Sequence, residues 1–331
     1  YTGYTPFTVA PDTDEFVAQL KRFAATCRVV KALTGMRVGV IGARTSAFKS
    51  VRYDETVLER HGVEVETYDL TSIMKIYNSL SDSDGVVLEW RRDLNAAMNC
   101  SAAPAGRDLV LAKFGAAVES VIKTAKLDAI AIRCWSELQE LLGIAPCSIL
   151  GLLNHKGISA ACETDVSNAV AMRALAAASG RSAGCLDLNN NYGAEENKCI
   201  LFHCGPLPEE LMELPGVIED HKMLSKGKPE KCSWGLNVGR VRTGEITICG
   251  MRATNGELAF FSDRAVITDD PVDGDFFGVH AVMETPDLQN KLKKIADGGF
   301  HHHAIITQTD VFEALNEALS KYLGYTHVDI H

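Results

Sequence analysis

The sequence predicts an α/β protein, with a Rossmann-like, doubly wound parallel-sheet domain over residues 1–165 and a β-rich α+β domain over 166–331. Three observations carry this expectation. Short apolar runs alternate with segments of helical length in the first half, the pattern of a parallel sheet with crossover helices. Glycine stands just past two of those helices, at Gly35 and Gly180, where a left-handed closing residue is favoured. Beyond about Lys198 the texture changes to short strand-like runs separated by Gly, Pro, Asn and Asp.

Taken in order, residues 14–33 read as an amphipathic helix and 36–42 as a strand. A polar loop follows to Ser50, then a helix over 53–60 and an alternating strand over 63–68. A long helix over 107–126 leads into a buried strand at 128–134, and a short helix over 147–155 precedes the strand 158–162. An Ala-rich helix follows Glu163, interrupted by Arg173 and closed by Gly180, and the next strand carries Asp187. In the second half, 199–204, 245–249 and 258–261 read as strands and 311–323 as a closing helix.

Composition narrows the function classes. The 331 residues are 46% hydrophobic and 23% charged, ordinary for a globular chain. A net charge of −10 without a Lys/Arg-rich run argues against nucleic acid or an anionic membrane surface as partner. No apolar run reaches membrane-spanning length. Ten cysteines without a CxxC pair fit buried thiols in a reducing cytoplasm better than a disulfide framework.

The chemistry concentrates in Glu163, Asp187 and the run His301-His302-His303. Carboxylates with an imidazole form a hard-to-borderline donor set suited to Mn²⁺ or Mg²⁺. Both carboxylates are expected at strand ends, and they reach one edge if the two strands lie parallel in one sheet. Helix capping is the plainer role for Glu163 and Asp165. Side chains of successive strand residues alternate in direction, so at most one or two of the three histidines point at one ion. His203 at a strand end, Trp135 after the 128–134 strand, Asn189 and Arg44 are candidate pocket residues, each with a structural role as the alternative. Gly39 and Gly42 supply only part of a dinucleotide-binding loop.

At these residues the chain resembles the L-fucose isomerase family, in the broad sense that includes the L-arabinose and D-arabinose isomerases. The resemblance is carried by Ala161-Cys162-Glu163-Thr164-Asp165-Val166 through Leu186-Asp187-Leu188-Asn189-Asn190-Asn191-Tyr192-Gly193, and by Asn197-Lys198-Cys199 through His203-Cys204-Gly205; the Glu-to-Asp separation and the Asn/Tyr run are its specific part. Weaker support comes from Gly42-Ala43-Arg44-Thr45-Ser46-Ala47-Phe48, Tyr53-Asp54-Glu55, Arg133-Cys134-Trp135 and His301 to Ala304. It implies two Rossmann-like N-terminal domains and a β-rich C-terminal one. Here the second and third are expected and the first absent, in keeping with a start at Tyr1 rather than Met. It also implies Mn²⁺ held by a Glu, an Asp and a His. Those roles fall to Glu163, Asp187 and, aligned on Ala304, His302, with His301 next. Finally, it implies a homo-oligomer with sites near subunit interfaces.

The expected activity is metal-dependent aldose–ketose isomerisation of a pentose or (deoxy)hexose through a cis-enediolate, with Glu163 and Asp187 as ligands and proton shuttles. A sugar-binding relative without turnover is the alternative.

Overall fold

The structure, a computed structural model, describes residues 3–226, 233–272 and 276–331. Helix α1 (Asp14–Leu33) begins where Thr13 accepts a hydrogen bond from the Phe16 N–H and where Asp14 and Glu15 meet the positive helix end. It ends at Gly35, whose φ of +69° turns the chain into β1 (Met36–Ile41). Asp54 caps α2 (Glu55–Arg60), which starts the helix later than its sequence pattern suggests, and β2 (Val63–Tyr68) follows. Next come α3 (Leu70–Ser79), α4 (Gly85–Ala97), the short β3 (Met98–Asn99), α5 (Arg107–Ala125) and β4 (Ala129–Ile132). Helices α6 (Glu137–Leu141) and α7 (Cys147–His155), then β5 (Ser159–Ala161), complete the first half.

Strands β2, β1, β4 and β5 form, in that order, a four-stranded sheet that is parallel throughout. Alternation along β4 splits the core. Ala129 and Ala131 face a cluster with α1 and α2, whereas Ile130 and Ile132 face one built from α3, α4 and α5. Helices therefore cover both faces, as a doubly wound sheet requires. Helix α4 buries Val87, Trp90, Leu94 and Ala97, one helical stripe. Trp90 packs where Gly115 of α5 has no side chain; a Cβ there would lie 2.4 Å from the indole.

The second half opens with α8 (Val166–Ser179), then β6 (Gly184–Tyr192), β7 (Glu195–His203), β8 (Gly216–Asp220), β9 (Trp234–Arg240), β10 (Gly244–Thr254), β11 (Glu257–Thr268) and β12 (Val279–Glu284). It closes with α9 (Leu288–Asp297), β13 (His303–Thr307), α10 (Phe312–Asn316) and β14 (Thr326–His327). The expected helix over 311–323 is α10 continued by a π-helical turn, Glu317–Tyr322. A ten-stranded sheet has the order β14-β11-β10-β13-β6-β7-β12-β9-β8-β3, and a further pairing joins β11 to β12. That pairing closes β10, β13, β6, β7, β12 and β11 into an antiparallel ring. Its interior holds Leu186, Leu201, Ile246, Ile248, Ala281 and Ile306, among others.

The two sheets meet across α8. This helix is buried on nearly every side because its Ala-rich sequence lets β4 and β5 approach on one side and β10 and β13 on another. One apolar cluster runs from Val38 and Ala161 through Leu175 to Met251 and Ile305. The last parallel strand ends at Ala161 and the ring begins at Gly184, so α8 is shared by both parts. The first half also reaches into the second, since β3 pairs with β8. No helix among the described residues is long and apolar enough to cross a membrane.

Candidate functional site

The expectation that the Glu163 and Asp187 strands lie parallel in one sheet does not hold. Strand β5 belongs to the parallel sheet, whereas β6 runs antiparallel between β13 and β7 in the ring. Nor is Asp187 at a strand end; it is an interior residue of β6. The carboxylates converge because the two sheets face each other across the first turn of α8.

Glu163 lies in the turn between β5 and α8. It and Thr164 both take left-handed backbone conformations, with φ of +53° and +58°. Such a conformation in a β-branched residue stores strain of the order of 1–3 kcal/mol. The turn is held by hydrogen bonds from Thr164 N to Ile132 O and from Asp165 N to Cys162 O. It directs the Glu163 carboxylate to the carboxyl end of the parallel sheet, where open α/β folds place their ligands.

Asp187 and His303 are direct cross-strand partners in the β6–β13 ladder and so share one face. The Nε2 of His303 lies 3.4 Å from Glu163 Oε2 and 3.5 Å from Asp187 Oδ1. His203, last in β7, brings its Nε2 to 3.6 Å from Glu163 Oε2 and 4.0 Å from Asp187 Oδ1. Behind His303, its Nδ1 meets Asp165 Oδ2 at 2.8 Å. Asp165 also caps α8 by accepting from the Asn168 N–H and from its side-chain amide. A carboxylate behind an imidazole fixes its tautomer and turns the other nitrogen toward the site.

The charges reinforce one another. Burial opposes ionisation of Glu163, yet the His203 and His303 rings hold its carboxyl well below the usual range. Burial likewise opposes the charge on Asp165, and His301 and His303 outweigh it. For His203, burial is overcome by Asp187 and Glu163; for His303, by Cys185, Asp165 and Glu163. Both rings are raised well above their ordinary range.

Glu163 Oε2, Asp187 Oδ1 and His203 Nε2 are buried without a hydrogen-bond partner. Donor atoms about 2.1 Å from a common ion lie about 3.0 Å apart at right angles and about 3.4 Å apart at the tetrahedral angle. The separations from His303 Nε2 to the two carboxylates, 3.4 and 3.5 Å, match that spacing. These residues therefore fit a divalent ion. Asp187, His302 and His303 form one potential ligand group, and Cys185, His203 and His303 form a softer one beside it.

The remaining sequence candidates are placed as follows. His302, the expected ligand of the triplet, is 42% exposed, and its Nε2 lies 3.8 Å from Asp187 Oδ1. Burial and His303 lower its pKa. His301 is turned away toward Asp165, at 3.2 Å. Asn189 is the unpaired residue of a β6 irregularity and is exposed. The Arg44 guanidinium folds back on its own loop, donating to Thr45 O at 2.8 Å and Phe48 O at 3.0 Å. That loop carries Phe48 over the imidazoles, with ring centroids 5.5 Å from His302, 5.6 Å from His303 and 6.3 Å from Trp135. Sequence reasoning reaches Phe48 only as part of the resemblance and gives it no site role, and it passes over the orienting role of Asp165 and the central position of His303. The His303–Asp187 register would have revealed the last, but pairing between distant strands is invisible in a single sequence.

No family model matches the chain. It is similar to the sulfoquinovose isomerases of Priestia aryabhattai and Priestia megaterium, each 25% identical over 318 residues, 93% of this chain and 67% of the relative. The protein of the same name from Alkalicoccus urumqiensis is 26% identical over 322 residues, 92% of this chain and 68% of the relative. The chain thus spans about two thirds of the length of these relatives.

Proposed function

We propose that this isomerase interconverts an aldose and its ketose by moving a proton between C1 and C2 through a cis-enediolate, at the site shared by the two sheets. The observation that carries the reading is the convergence of Glu163 Oε2, Asp187 Oδ1 and His203 Nε2, buried and unpartnered, around His303 Nε2. The relatives' shared name, isomerase, supports the same class of enzyme, an intramolecular oxidoreductase.

Glu163, Asp187 and His303 would hold a divalent ion, Mn²⁺ for a mixed carboxylate and imidazole set, and His302 stands at the rim in a group with Asp187 and His303. When bound, that ion supplies Lewis-acid stabilisation of the charge that develops as the carbon acid ionises. The protein's own residues do the rest. A carboxylate, from Glu163 or Asp187, takes the proton from C2 and returns it to C1. The two imidazoles keep Glu163 ionised despite its burial, ready to accept. Asp165 holds the His303 ring in place through Nδ1. Phe48 and Trp135, with ring centroids 6.3 Å apart, offer apolar faces that suit the C–H face of a sugar.

Sulfoquinovose, an aldohexose with a sulfonate at C6, is the first substrate to assay, on the strength of the relatives' name. We place the enzyme in the cytoplasm, because the nine described cysteines are free thiols and most are buried, and we expect a homo-oligomer. The test is turnover of sulfoquinovose and a panel of neutral aldoses in D₂O, followed by NMR. Ketose carrying solvent deuterium, lost on chelation and restored by Mn²⁺, is the expected result. Full turnover by chelated protein or by Glu163→Gln would rule the reading out.

A further inference from the structure

At the other end of α8 from Asp165 lies a concavity of about 720 Å³ that the isomerase reading does not use. The end of α1, the turn into β1, the end of α7 and the last turns of α8 bound it. Four cationic side chains line it, Arg28, Lys31, Arg173 and Arg181, against two carboxylates, Asp128 and Glu210.

Both carboxylates are already engaged. Asp128 accepts from the Arg37 backbone N–H at 2.9 Å, and Glu210 accepts from Arg181 Nε and from the Ser182 N–H. Arg28 is engaged as well, donating to Ala177 O and Ala178 O. In doing so it covers the negative end of α8, which would otherwise repel an anion. Arg173 is different. It is the one charged residue of the Ala-rich α8, and its Nε is shielded from water without a hydrogen-bond partner. That Nε is closed to a ligand as it is to water, but the Arg173 side chain lines the concavity with no ion-pair partner among the described residues, and a half-buried cation so placed favours a ligand that brings acceptor oxygens and negative charge.

We infer that this concavity binds a tetrahedral oxyanion, free or carried by a small metabolite, with Arg173 and Lys31 as its charge partners. A guanidinium offers N–H donors in a fork that matches phosphate oxygens, and an ammonium adds a point charge. The volume leaves room for more than the oxyanion itself. The inference is independent of the proposed sugar chemistry.

The test is calorimetric titration of the full chain with inorganic phosphate and with glucose 6-phosphate at fixed ionic strength, using glucose and chloride as controls. Saturable binding of an oxyanion is expected, weakened at least about tenfold in Arg173→Met and to a smaller degree in Lys31→Ala. Lys31 is exposed, so its replacement leaves folding intact. Asp187→Asn should bind phosphate as the wild type does, which separates this site from the sugar site. Tighter binding of glucose 6-phosphate marks a metabolite as the source, and equal binding marks the free ion. No saturable binding of either probe, or unchanged affinity in both Arg173→Met and Lys31→Ala, would overturn the inference.

Discussion

The parallel sheet and the antiparallel ring contribute to the candidate site in opposite ways. The sheet offers Glu163 from a strained turn beyond a strand end, where left-handed residues aim the side chain. The ring offers Asp187 and His303 from mid-strand, where the ladder register alone makes them neighbours. A turn can adjust by a torsion, whereas a register shifts only in whole residues and moves every side chain on the strand to the other face. The contrast teaches that the spacing of the site depends on what holds sheet to ring. That element is α8, with Asp165 at its start binding the His303 imidazole.

Four perturbations act on the sheet, the ring or the joint between them, with effects that decrease in order. Removing the sheet's contribution with Glu163→Gln should lower kcat by about 10²–10⁴-fold, measured at saturating sugar and Mn²⁺, with circular dichroism unchanged. Loosening the joint is next. Leu175 of α8 is fully buried in the cluster shared by sheet and ring, so Leu175→Ala should lower unfolding free energy by about 2–5 kcal/mol in urea titration. A single shared transition is expected, and two separate ones would show that α8 does not couple the parts. On the ring side, Asp165→Asn leaves His303 without its orienting carboxylate, and Mn²⁺ affinity should fall by about 10–100-fold. A loss confined to stability would reduce Asp165 to a helix cap.

The smallest effect concerns pH. In the ion-free protein His203 and His303 are raised above their ordinary values, so their stabilising contribution is complete below about pH 6.5 and is lost as pH rises through the folded values. Glu163 and Asp165 are depressed, so theirs is present above about pH 4 and is lost as pH falls. Ion binding needs neutral imidazoles, so Mn²⁺ affinity should rise with pH, by up to about tenfold per unit for each proton released. Thermal melts of chelated protein and Mn²⁺ calorimetry over the same pH range check the two opposite trends.

Sequence reasoning succeeded wherever the signal was local. Helix Asp14–Leu33 has its cap, its acidic first turn and its closing glycine within reach of one another, and strand Val63–Tyr68 alternates visibly. Glu163 and Asp187 stood out for a similar reason, as acidic residues beside short small-residue runs. Residues 70–97 received no assignment although Val87, Trp90, Leu94 and Ala97 recur at helical spacing, because the charged residues between them dilute the stripe. Ring closure through β11 and β12 and the pairing of His303 with Asp187 join residues far apart in the chain. Such contacts depend on register, which a sequence does not display. The same gap explains why His302, favoured by resemblance, occupies the rim while His303 occupies the centre.

The proposed site requires sheet and ring each to supply a carboxylate to one ion. The most direct measurement is electron paramagnetic resonance of free Mn²⁺ during titration of the wild type, Glu163→Gln and Asp187→Asn. One tightly held ion per chain is expected in the wild type, with binding severely weakened in each variant. Retention of the wild-type stoichiometry and affinity in both variants would contradict the claim.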